Sequence, residues 1–178
     1  MASISASINI GIPRSTSPAA AYPFTTFNFA VEITVETMEP PLICNAAFSD
    51  CDGLDATMEV KTIRQGGDNA TQIRLAGPLS YGQLTLKRGM TNNFALWDWF
   101  GRTVSNPSIR GRATVVLFAA DGVTERVRFG LDRCLPVKIK APALNAKDGA
   151  VAIEEMQIAY EHLALQRPGP GGGGFDLE

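Results

Sequence analysis

From Phe27 to Glu36 the chain alternates. Phe27, Phe29, Val31, Ile33 and Val35 are apolar, and Asn28, Ala30, Glu32, Thr34 and Glu36 fall between them. A sustained period of two marks a strand with one apolar face. Such a face must be buried against a second layer, so the chain is committed to packed sheets. Pro40-Pro41 ends this strand, because proline has no amide hydrogen to give to a ladder.

The same signal recurs downstream. A short strand is predicted through Ala46-Ala47-Phe48 toward a turn at Asp52-Gly53. Another runs from Ala56 to Arg64, with Met58, Val60 and Ile63 as its apolar content. Gln65-Gly66-Gly67-Asp68-Asn69 reads as a loop. Gln83 to Met90 reads as a strand with Leu84 and Leu86 on one side and Thr85 and Lys87 on the other. Ala113–Phe118 and Arg126–Leu131 flank Asp121-Gly122, a strong hairpin signal. In the second arm Val127, Phe129 and Leu131 oppose Arg126, Arg128 and Asp132.

One helix is predicted, capped by Thr91 or Asn92 and ended by Gly101. Phe94, Leu96, Trp97, Trp99 and Phe100 supply its apolar positions, and a helix this short needs a sheet to pin it. Residues 151–165 fit both a strand and a helical stripe, and periodicity leaves both open. The sum is a mainly β domain: an antiparallel β-sandwich or partly open barrel with one short α-helix.

Composition sets the boundaries. Residues 1–22 are rich in Ser, Ala, Pro and Ile with Arg14 as the sole charge, and read as an extended or disordered arm. Residues 23–166 form the β domain. Residues 167–178 open with a Gly/Pro tract and read as a flexible tail in which only Phe175 and Leu177 could anchor to a partner. No apolar run is long enough for a membrane helix and no signal peptide is legible, so the expectation is assembly in the cytoplasm without membrane insertion. Cys44, Cys51 and Cys134 are irregularly spaced and read as free thiols.

A net charge of -2 argues against a dedicated nucleic-acid binder. The charge is nevertheless unevenly spread. Up to Val60 the only basic residue is Arg14, set against Glu32, Glu36, Glu39, Asp50, Asp52, Asp55 and Glu59, whereas basic residues dominate from Lys61 to Lys140. Two solvated faces of opposite sign would give this pattern. So would head-to-tail complementarity between copies.

No catalytic constellation is legible. The single histidine, His162, has no Gly-x-Ser-x-Gly partner motif, and a dyad with Cys134 or Cys51 is a weak alternative. Gln65-Gly66-Gly67-Asp68 lacks the Gly-Lys-Ser/Thr ending of a phosphate loop. Glu154 and Glu155 point to opposite faces if they lie on a strand. No metal-ligand spacing appears. The expectation is a non-enzyme without cofactor or metal.

Several segments, in order, resemble the contractile phage tail-tube proteins and their relatives in extracellular injection systems. Phe48-Ser49-Asp50-Cys51-Asp52-Gly53-Leu54 is similar to that family's F-x-E-V-S-G-L segment, with Cys51 and Asp52 in place of Val and Ser. Arg64-Gln65-Gly66-Gly67-Asp68-Asn69 resembles its R-x-G-G-x-N loop, and Leu84-Thr85-Leu86-Lys87-Arg88-Gly89-Met90 its L-T-L-K-R-G-x strand. Leu96-Trp97-Asp98-Trp99 resembles its helix signature. Pro136-Val137-Lys138, Leu144-Asn145-Ala146, Val151-Ala152-Ile153-Glu154 and Tyr160-Glu161-His162-Leu163 resemble the connection into the last strand and its ending.

The resemblance implies a tail-tube-like fold, six-membered rings, and strands lent to a continuous barrel around a lumen. It also implies that residues 151–165 form a strand. The implied partners are further copies of the chain, a surrounding sheath, baseplate or hub proteins, and lumen cargo. The expected interface charges are Lys87, Arg88, Arg126 and Arg128 against Asp50, Asp52 and Glu59 of a neighbour. The two tails keep a specialised initiator ring at the baseplate end open beside the bulk tube. A monomeric β-barrel that binds a small ligand, and a hydrolase using Cys134 or His162, are the alternatives from other classes.

Overall fold

The computed structural model describes residues 26–35, 42–64, 66, 71–145, 147, 149–167 and 175–176, and for 42–46 and 175–176 the backbone alone. The expected arm at 1–22, Pro40-Pro41, most of the 65–69 loop and the Gly/Pro tract lie outside these residues, as does the Cys44 side chain.

Among the described residues eleven strands and one helix follow in order: β1 (Phe29–Val35), β2 (Leu42–Ala46), β3 (Asp50–Asp52), β4 (Ala56–Ile63), β5 (Ile73–Tyr81), β6 (Gln83–Gly89), α1 (Ala95–Ser105), β7 (Gly111–Phe118), β8 (Glu125–Lys140), β9 (Ile153–Ala159), β10 (His162–Gln166) and β11 (Phe175–Asp176). All pairings are antiparallel. The strand order β2-β1-β7-β8-β9-β6-β3 makes one path, with β10 also on β8 and β11 on β10. It does not close into a barrel.

The path folds into two layers at β8. Residues 128–132 of this strand pair with β10, and residues 125–131 and, past a register shift, Cys134 with β7, in the first sheet. Residues 135–140 pair with β9 in the second. Between them Arg133 takes a left-handed φ of 53°, the kind of bulge that lets one strand turn a corner between sheets. The segment paired with β8 turns at the same place. The single last strand expected over 151–165 is in fact β9 and β10, separated by Tyr160-Glu161. The Arg133 Nε donates to Glu161 Oε2 at 2.5 Å across this corner, and the Arg133 guanidinium holds the Glu161 carboxyl below its usual range. The Tyr160 hydroxyl sits 2.9 Å from the carbonyl oxygens of Gly53 and Asp55, and tethers the corner to the β3–β4 turn. Gly53 has φ +89 there, and a Cβ would run into the Gln83 carbonyl.

The inner faces meet in one core. Val31, Ile33 and Val35 from β1, Ala113 and Val115 from β7, and Leu131 from β8 face Leu84 and Leu86 of β6 and Met156 and Ile158 of β9. The alternation of β1 and of Leu84/Leu86 reads out as expected. The helix differs at both ends. Its first turn is served by Asn93, whose Oδ1 accepts from Ala95 N at 3.0 Å. It runs through Gly101 to a C-cap at Asn106. No heavy atom lies within 4 Å of a Cβ built at Gly101, so nothing in the packing demands glycine at this helical position. The buried stripe Leu96, Trp99 and Thr103 continues past it. Trp99 is fully buried, and its ring edge packs 3.0 Å from where a Gly111 Cβ would lie.

The β7–β8 hairpin forms as predicted, closed by its aspartate. Asp121 accepts from the backbone of Val123 and Thr124 and from the Thr124 hydroxyl at 2.6–3.0 Å, and these bonds hold its pKa down to about 2. A carboxyl whose folded pKa is depressed stabilises at pH above its unfolded value, and that contribution disappears as pH falls through about 2. Amide exchange at Val123 and Thr124 should therefore lose protection below about pH 3 while the core strands keep theirs, and Asp121→Asn should show the unprotected behaviour at neutral pH.

Candidate assembly interface

The expected interface charges do not gather in one place. Asp50, Asp52 and Lys87 lie on the outer face of the second sheet. Glu59 lies on β4, and Arg126 and Arg128 lie on the first-sheet half of β8. Arg128 pairs with Glu125 of its own strand at 2.8 Å.

Arg88 corrects the expectation. It is not a surface charge: only 2% of it is exposed. The period of two explains this, since Leu84, Leu86 and Arg88 share the inward parity of β6. On β9, Glu154 shares the inward parity of Met156 and Ile158 and stands directly across from Arg88. Arg88 Nε donates to Glu154 Oε1 at 2.5 Å, and Arg88 Nη2 donates to the Asn93 carbonyl at 2.7 Å. The Trp97 indole donates to Glu154 Oε2 at 2.8 Å. Phe48 lies 5.9 Å below the guanidinium, within cation–π range. This network binds the helix onto the second sheet. Its sequence signal was the in-register parity of 84, 86 and 88.

The outer face of the same sheet carries a different pattern. Reading across the strands, Asp50 of β3 stands beside Lys87 of β6, Lys87 beside Glu155 of β9, and Glu155 beside Lys140 of β8. Charge alternates minus, plus, minus, plus along this row. Lys87 Nζ donates to Asp50 at 2.8 Å, and that contact raises the Lys87 pKa. The row ends on two open margins of opposite sign. At one margin is β3, the last strand of the path. At the other is residues 135–140 of β8, which pair only with β9 among the described residues.

A second surface is the β4–β5 hairpin, a separate two-stranded sheet. Sequence reading found β4 and missed β5, because Gly77-Pro78 interrupts it. The structure accommodates both residues at a bulge, where they oppose Glu59 between the Met58↔Leu79 and Val60↔Ala76 pairs. A proline is tolerated there because the strand is at an edge. Every residue of β4 is exposed. Ile63, Ile73 and Leu75 lie on one face and Met58 and Val60 on the other, with Val60 58% and Met58 54% exposed. A two-stranded ribbon with water on both faces is marginal by itself, and its apolar side chains mark a contact surface.

The thiols offer little chemistry. Burial pushes Cys134 up to about 12. Burial, then the Asp50 and Asp52 charges, push Cys51 up to about 11, so neither carries the thiolate a nucleophile needs. His162 lies on β10 opposite Asp132. Among the described residues no group of three His, Cys, Asp or Glu side chains is placed to hold a metal ion, and no helix is long and apolar enough to cross a membrane.

The described residues thus form a β sandwich with two open margins and a separate, exposed two-stranded ribbon. Residues 25–164 match the family model described as T4-like virus tail tube protein gp19, and the chain belongs to this family. It is similar to a chain in the anti-feeding prophage baseplate, with 25% identity and a TM-score of 0.72 over 82% of this chain and 96% of that one. A chain of an extracellular contractile injection system, the PVC sheath-tube complex in its extended state, shares the fold at 18% identity and a TM-score of 0.71, covering 84% and 95%. A crystal structure of an Hcp protein shares it at 11% identity and a TM-score of 0.55, covering 83% and 98%. No curated protein sequence matches the chain. The family is one of tail tube proteins, and the neighbours share the mainly β, one-helix fold expected from the sequence.

Proposed function

We propose that this chain forms six-membered rings that stack into the inner tube of a contractile injection system. The observation that carries the reading is the pair of open margins on the second sheet. They lie on one layer, bear opposite charge at their ends, and are offered by the same chain. Such an arrangement is head-to-tail, and head-to-tail contacts make closed rings when the rotation closes. Joining β3 of one copy to residues 135–140 of β8 in the next continues both the ladder and the alternating charge row, so Lys140 meets Asp50. Closure removes the exposed edges that otherwise invite aggregation.

The outer face of this sheet, with Thr85, Lys87, Glu155, Gln157 and Lys138, would then line the lumen. A polar, charge-balanced wall suits a conduit for cargo. The β4–β5 hairpin would lie on a neighbouring copy and bury its apolar side chains, each worth about 1.5–3 kcal/mol. The sheath and baseplate proteins are the remaining partners, in line with the sheath-tube and baseplate assemblies in which the neighbours occur. A specialised ring at the baseplate end is the second reading, favoured by the likeness to the baseplate chain. Assembly in the cytoplasm before incorporation into the particle completes the proposal.

Negative-stain imaging of the purified full chain tests this. Six-fold rings or short stacks are expected at high protein concentration. A strictly monomeric protein across the concentration range contradicts the reading.

A further inference from the structure

The β4–β5 ribbon joins the sandwich through two short connections. Gly53-Leu54-Asp55 leads into it from β3, and Gly82 alone leads out of it into β6. Among the described residues β4 and β5 pair with no strand but each other. Ladder hydrogen bonds to the body therefore do not fix the direction of the ribbon. That direction is set where the two connections meet.

They meet closely. Gly82 N donates to the Asp55 carbonyl at 3.2 Å. Gly82 also packs so tightly on Asp55 that a Cβ there would strike its carboxylate. Leu54 and Tyr81, one on each connection's side, pack against the core and seat the base of the ribbon. A seated base still permits rotation about Leu54 unless the backbone on both sides of it is held.

Tyr160 holds both sides. Its hydroxyl accepts from Asp55 N at 3.1 Å and lies 2.9 Å from the carbonyl oxygens of Gly53 and of Asp55. The bonded groups bracket Leu54, so the connection cannot swing without breaking at least one of these contacts. The Tyr160 ring also lies 5.6 Å from the ring of Tyr81, the last residue of β5, with the planes at 49°, the geometry of a favourable aromatic pair. One side chain thus touches both connections. It is 5% exposed and belongs to the corner of the sandwich, where the next residue, Glu161, donates its amide to the Asp132 carbonyl at 3.2 Å. The ribbon is referenced to the stiffest bend of the body.

We infer that Tyr160 is a positioning residue for assembly: its hydroxyl fixes the direction in which the ribbon leaves the sandwich. This rests on the reading above that the ribbon lies on a neighbouring copy. An arm already aimed loses less freedom on docking than one that swings, and such pre-organisation strengthens association without adding a contact.

Tyr160→Phe removes the hydroxyl and keeps the ring. Spin labels at Thr62→Cys on the ribbon and Val104→Cys on the helix, in a full chain whose native cysteines are replaced by serine or alanine, report the angle by double electron–electron resonance on monomers. The distance distribution should be narrow with Tyr160 and clearly broader with phenylalanine. Exchange of the Asp55 and Gly82 amides should rise about tenfold, with the amides of β6 and β9 unchanged. The unfolding midpoint should fall by only about 2–4 °C, yet rings should require at least about tenfold more protein. Glu161→Gln, which weakens the corner ion pair and spares the hydroxyl, should leave the distribution narrow. An unchanged distribution in Tyr160→Phe, equal broadening in Glu161→Gln, or a loosened ribbon that assembles at the parent's concentration would overturn the assignment. A parent chain that never forms rings counts against the ring reading instead, and the aiming of the ribbon is then judged on the monomer distances.

Discussion

Replacing Val60 and Leu75 together by lysine should abolish ring formation while leaving the monomer folded. The reasoning turns on where these side chains are. Both are exposed in the single chain and lie on opposite faces of the β4–β5 hairpin. Surface substitutions without a buried partner usually change stability by about 0.5 kcal/mol or less, so thermal unfolding of the isolated subunit should barely move. In the assembly the same positions would be covered. Losing two buried aliphatic side chains costs about 1.5–3 kcal/mol each, and a buried unpaired ammonium adds to this. Association should weaken at least ~100-fold, as read by sedimentation velocity. A variant that assembles like the parent would remove the hairpin from the interface.

The second large effect lies at Arg88, and it is an effect on folding. Charge reversal, Arg88→Glu, places two carboxylates on the inner face in cross-strand register and removes the donor to the Asn93 carbonyl. Breaking a buried ion pair from one side costs about 3–5 kcal/mol, a large part of the stability of a single domain. The variant should be unfolded or molten by near-ultraviolet circular dichroism. The double variant Arg88→Met, Glu154→Leu should recover most of the loss, because an apolar pair of similar volume needs no charge compensation. If Arg88→Glu instead gives a fully stable monomer, the buried network does not hold the helix to the sheet.

These two residue sets show what was legible in the sequence and what was not. The alternation at 27–36 gave β1 directly, and Asp121-Gly122 gave its hairpin, because both signals are local. The parity of Leu84 and Leu86 already placed Arg88 on the inward face. A basic residue beside Lys87 reads as surface only when that parity is overlooked. β5 was hidden because Gly77-Pro78 breaks the local pattern, and only its partner shows that they sit in a bulge. The corner that splits residues 151–165 depends on Arg133, far away in sequence, so no window around Tyr160 could reveal it. The tail reads as a linker, yet Phe175–Asp176 pairs with Ala164 and Leu165 of its own chain. The alternating charge row needs four strands in register, and register is a property of the folded sheet.

The claim that one sheet margin joins the opposite margin of the next copy is tested most directly by cysteines at the two ends of the charge row. Asp50→Cys and Lys140→Cys are combined in a chain whose native cysteines are replaced by serine or alanine. Within one chain these positions are separated by three strand spacings, about 14 Å, whereas a disulfide needs Cα atoms within about 7 Å. Any bond must therefore join different copies. Mild oxidation should produce a ladder of covalent oligomers that ends at a closed hexamer, and neither single variant should climb beyond a dimer. Oxidation that leaves the double variant monomeric under assembling conditions would contradict the account.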